Sequence, residues 1–93
     1  MFGKVYSPAD LMSATSKSRS LYLSSFEEVC KQKGLMSDYI YSYKWRIMHY
    51  MDGKYSLLHD LEIINLKTYV TLYEQLEEKL NEIYERTVKK ENE

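Results

Sequence analysis

The stretch KYSLLHDLEIINLKTYVTLYEQLEEKLNEIYERTVKK, residues 54–90, holds no glycine and no proline, and its polar positions are rich in Glu and Lys. Good helix formers without backbone breakers predict one long helix. Leu66, Tyr73 and Leu80 recur every seven residues, with Tyr69, Leu76 and Ile83 between them, so about two and a half heptads are legible. The register fails upstream, where His59 and Glu62 would enter the seam and Leu57, Leu58, Leu61 and Ile64 define a rotated stripe. The β-branched, Asn-containing run from Ile63 to Thr68 is where a kink is expected, and Thr71 with Glu74 has the form of a cap for a fresh helix.

A continuous helix over this stretch would be roughly 55 Å long, whereas a compact domain of this size has a radius of gyration near 12 Å, on the order expected from chain length. An overhanging apolar seam needs cover from a break and fold-back, a second copy or a partner. Leu66, Tyr69, Tyr73, Leu76, Leu80 and Ile83 are therefore candidate oligomerisation residues, in a homodimer or against another protein.

Working back towards the N-terminus, Ser37 is a helix start and Gly53 a stop, which predicts a helix to about Asp52. Ile40, Tyr43, Ile47 and Met51 make its main apolar stripe, and further rings leave little of its circumference polar. Before it, Ser25 to Glu28 has the capping-box form and Gly34 supplies a helix end. Ser7, Pro8 and Asp10 open a first helix. Residues 13–20 are crowded with hydroxyls that compete for backbone hydrogen bonds, so they predict a frayed end or loop. The sum is one all-α domain over 1–93: a small bundle of three to four helices, partly irregular over 1–20, ending in a long helix over 54–90 with an expected kink.

A chain of 93 residues can fold alone with little stability to spare. Its 13 basic and 14 acidic residues nearly cancel, which argues against a protein that coats nucleic acid or an anionic membrane. Residues 1–50 hold seven basic against four acidic residues, so the first half is basic and the second acidic. Cys30 is the single cysteine and has no metal-ligand spacing around it, so it is expected to be a small buried apolar residue in a reducing cytoplasm. No apolar run has the length of a signal peptide or of a membrane span.

Chemistry finds little purchase in this sequence. His49 and His59 have no cysteine or second histidine at ligand spacing, the serines sit in caps and connections far from both, and no glycine-rich loop can cradle phosphate. The expectation is a non-enzyme without metal or cofactor.

Gly34-Leu35-Met36-Ser37, then a helix, then Met51-Asp52-Gly53-Lys54-Tyr55 with Leu58, Leu61 and Ile64, resembles the middle and end of a repressor-type helix-turn-helix. The resemblance covers less than half of the chain. It implies a DNA-binding transcriptional regulator in which Lys44, Arg46 and Lys54 touch phosphates or bases and the last helix dimerises the module.

Ten tyrosines give the other direction, with Tyr39, Tyr41, Tyr43, Tyr50 and Tyr55 gathered around Trp45. Tyrosine combines a large apolar ring with a polar tip and suits half-buried contact surfaces. An AT-rich genome also raises Tyr content, but the clustering, interleaved with Lys44 and Arg46, points to contact. Tyr39, Tyr41, Lys44, Trp45, Arg46, Tyr50 and Tyr55 are the candidate partner-binding residues. The expected activity is attachment to a host protein as an adaptor or stoichiometric inhibitor, by analogy with small proteins encoded by phages and mobile elements.

Overall fold

The computed structural model describes residues 7–93, so the first part of the segment expected to be irregular, residues 1–6, lies outside the described residues. Three helices follow in order: α1 (Pro8–Lys33), α2 (Ser37–Asp60) and α3 (Leu66–Glu91). Short connections make them run up, down and up, an all-α bundle as expected, with three helices where three to four were allowed for.

α1 starts as its sequence dictates. Ser7 Oγ accepts from the Asp10 amide at 3.2 Å and the Asp10 carboxylate accepts from the Ser7 amide at 3.0 Å, with Pro8 at the first helical position. The helix then runs unbroken through residues 13–20, against expectation. Thr15 turns its hydroxyl back to the Leu11 carbonyl at 2.9 Å, and Ser13, Ser16 and Ser20 are exposed to water. Their hydroxyls therefore do not unravel the backbone, while Leu23 and Phe26 anchor the helix to the core. The box at Ser25 lies inside this helix and caps nothing.

α1 ends at Gly34, whose φ of 60° is left-handed. Leu35 N–H donates to the Cys30 carbonyl and Gly34 N–H to that of Lys31, at 3.1 and 3.3 Å, a Schellman closure. α2 ends by the same device without a glycine: Glu62 has φ 61°, Ile63 N–H donates to Leu58 and Glu62 N–H to His59. Gly53, expected as the stop, is exposed inside α2. Lys54 to Asp60 thus belong to α2, and the expected kink is a complete break over residues 61–65, after which Asn65 caps α3 through the Thr68 amide at 2.8 Å. Thr71 lies within α3 and bonds back to Lys67. The turn at Gly34 is present between α1 and α2, but the second turn that the helix-turn-helix resemblance implies at Gly53-Lys54 is absent, because both residues lie inside α2.

Two substitutions test this account. A Cβ on Gly53 meets nothing within 4 Å, so Gly53→Ala is expected to stabilise by about 0.5–1 kcal/mol. Glu62→Gly is expected to stabilise by about 1 kcal/mol through relief of the left-handed backbone. Both are read by chemical denaturation, and a Gly53 that ended a helix would give the opposite sign for the first.

The core is Cys30 from α1, Ile40, Ile47, Met48, Met51 and Tyr55 from α2, and Leu76, Leu80 and Ile83 from α3. α2 and α3 share most of the contacts, and α1 is attached more sparsely. The molecule measures 51 × 33 × 16 Å. With only three helices, one side of α2 is left uncovered, and Tyr39, Tyr43 and Tyr50 are exposed there.

Candidate functional site

The buried face of α2 follows Ile40, Lys44, Ile47, Met48, Met51, Tyr55 and Leu58, at helical spacing. Two of the expected partner-binding residues belong to it. Tyr55 is 1% exposed and its ring fills the core. Its hydroxyl has no hydrogen-bond partner among the described residues, and burial raises its pKa while nearby Arg19 acts against that rise. Lys44 is 5% exposed. Its ammonium donates to Asn81 Oδ1 at 2.8 Å, stands 4.0 Å from Glu77 and lies over the rings of Trp45 (4.8 Å) and Tyr41 (5.3 Å). Neither Tyr55 nor Lys44 is a surface anchor, because both lie on the side of α2 that α3 or α1 covers.

The expected oligomerisation seam meets a similar correction. Leu76, Leu80 and Ile83 are buried in this chain's own core, and Tyr69 and Tyr73 pack against it half-buried. Leu66, beside the α2–α3 turn, stays exposed. The break at 61–65 turns the seam back onto α2, which gives it the cover it lacked as an extended helix. Tyr69 adds a polar tie by donating its hydroxyl to the Asp52 carboxylate.

That tie raises the Tyr69 pKa from 10.0 to about 12, first through the hydrogen bond to Asp52, then through burial and the Asp52 charge. A folded-state pKa above the unfolded value means the contribution is complete below pH 10 and is lost as pH rises towards 12. Tyr69→Phe is expected to lower stability at neutral pH and to flatten the decline between those values. Urea titrations of both proteins across that range check it.

The remaining candidates are at the surface, on two flanks of α2. On one, Tyr41 and Trp45 pack edge to face at 6.3 Å, and Tyr41 meets Tyr84 of α3 at 5.8 Å, above the Lys44 ammonium. On the other, Tyr39, Tyr43, Arg46 and Tyr50 form a row. Arg46 lies over the Tyr43 ring at 5.4 Å and Lys54 over that of Tyr50 at 4.9 Å. Tyr22 of α1 stacks against Tyr50 with centroids 4.5 Å apart. Tyr50 raises the Tyr22 pKa, and Tyr22, with Lys54 adding to the effect, lowers that of Tyr50.

Tyr22 was missed because residues 13–20 read as a loop, which hid that Leu11, Tyr22 and Val29 share a helical stripe. Asn81 and Glu77 were missed because they looked like an ordinary solvated face.

A cleft of about 600 Å³ opens where the end of α1, the start of α2 and the end of α3 converge, over Cys30, Ile40 and Ile83. Burial, then Glu27, raises the Cys30 pKa, which leaves an inert thiol. Arg86 pairs with Glu27 at 2.7 Å along the cleft, and Glu91 accepts from the Ser37 amide and hydroxyl, capping α2 from across the bundle. The mixed charges of this rim give a ligand no field of one sign.

Among the described residues no three His, Cys, Asp or Glu are grouped to hold a metal, and no helix is long and apolar enough to cross a membrane. No protein family, no curated protein and no solved structure matches the chain.

Proposed function

We propose that this chain is a non-catalytic protein-binding module that docks a partner through the aromatic side of α2. One observation carries the reading: Tyr39, Tyr41, Tyr43, Trp45 and Tyr50 keep 36–56% of their surface exposed. Adjacent half-covered rings present apolar area with polar tips at small entropic cost on binding, which is the composition of interface anchors. The action is steric, as an adaptor or a stoichiometric inhibitor of the protein it covers.

Affinity capture from a lysate of the encoding organism tests this. One protein is expected in near-stoichiometric yield, lost with at least one of Tyr41→Ala, Trp45→Ala and Tyr50→Ala, which sample both flanks of α2. Retention of the same protein by all three variants would count against the proposal. So would salt-sensitive capture of duplex DNA in place of a protein.

A further inference from the structure

Deepening that reading, we infer that the partner presents an acidic amphipathic helix, which lies along the α1–α2 face as the missing fourth helix of the bundle. Tyr39, Tyr43, Arg46, Tyr50, Gly53 and Leu57 follow one another at alternating intervals of four and three residues, the spacing of a coiled-coil seam. Unlike the buried seam of α3, these residues are all exposed. Tyr39 and Leu57 keep 56% and 52% of their surfaces. The α1 wall repeats the pattern with Leu11, Ser18, Tyr22 and Val29, and the two walls meet where Tyr22 stacks on Tyr50. From Tyr39 to Leu57 the row runs about 27 Å, the length of a five-turn helix, roughly.

Charge decides what kind of helix fits. None of the positions on either wall is Asp or Glu, whereas Arg46 lies in the row and Lys54 flanks it, each stacked over a tyrosine ring. Neither has a carboxylate partner among the described residues, although the chain as a whole is net −1. A cation over a ring is held beside the apolar row instead of swinging into solvent, so carboxylates flanking an apolar stripe meet fixed positive charge. The opposite flank of α2 lacks this arrangement, since Lys44 there is already engaged by Asn81 and Glu77. A straight apolar row bearing so few cations suits a helix better than a phosphate backbone, whose tight binding draws on many neutralised charges.

The test is a display library of helices with Leu at heptad a and d positions and Glu, Gln or Lys at the outer positions, sorted against the full chain. Glu-bearing clones are expected to be enriched. Their affinity should fall about tenfold or more with Tyr43→Ala/Tyr50→Ala and with Arg46→Glu/Lys54→Glu, and stay unchanged with Glu78→Ala on the exposed side of α3. Circular dichroism confirms that each variant is folded. Equal enrichment of Gln or Lys clones, or no enrichment, overturns the inference. Clones lost with Trp45→Ala but not with the Tyr43/Tyr50 pair overturn it while leaving the protein-binding reading intact. A labelled oligonucleotide bound more tightly than any clone, and lost with the charge reversals, overturns both.

Discussion

Leu76→Ala is expected to lower the free energy of unfolding by about 3 kcal/mol and the melting temperature by roughly 10–20 °C. Leu76 is 0% exposed and lies at the centre of the α2–α3 contact with Leu80 and Ile83. In so small a core few neighbours can move in to fill the space left by a leucine, so the cavity persists. Small domains hold only about 5–15 kcal/mol in all, and the loss is therefore a large share. The same experiment separates an internal seam from an intermolecular one. If Leu76 serves its own chain, the wild-type melting temperature stays constant over a roughly hundredfold range of protein concentration. A midpoint that climbs with concentration, together with a Leu76→Ala protein that becomes monomeric but stays as stable, would return the seam to a dimer interface.

Gly34 and Glu62 show why the helix boundaries were only partly legible. Both adopt the left-handed conformation and both close a Schellman motif. Glycine announces that geometry and glutamate does not, so the end of α1 could be read and the end of α2 could not. Gly53 is the converse case, a glycine tolerated inside a helix because packing on both sides of it outweighs its backbone entropy. Periodicity found Leu76, Leu80 and Ile83 correctly as one apolar stripe. It could not name the occupant, because a stripe has the same spacing whether α2 or a second copy covers it.

The tyrosines divide for a similar reason. Tyr50 and Tyr55 are the same residue type five positions apart, and only the placement of α1 and α3 leaves one 44% exposed and the other 1%. Lys44 held a signal that was available. It stands four residues after Ile40 and four before Met48, inside the apolar stripe, and a lysine in such a position needs a partner on the facing helix.

Asn81→Leu is expected to cost about 2–3 kcal/mol, because it takes the nearest oxygen from an ammonium whose side chain is only 7% exposed. Glu77, 4.0 Å away with its side chain 40% exposed, compensates only in part. Lys44→Met should change stability by less than about 1 kcal/mol, since it removes the buried charge with its partner and keeps most of the side-chain volume. In the Lys44→Met background, Asn81→Leu should lose most of its penalty and leave a coupling of about 2 kcal/mol. Urea denaturation of the four proteins measures this cycle. An Asn81→Leu penalty of equal size with and without Lys44 would mean that Asn81 matters for packing alone. Partner capture by Lys44→Met gives the functional half of the argument: a lysine enclosed by Asn81, Tyr41 and Trp45 supports the rings from beneath. Its loss should weaken binding far less than Tyr50→Ala does.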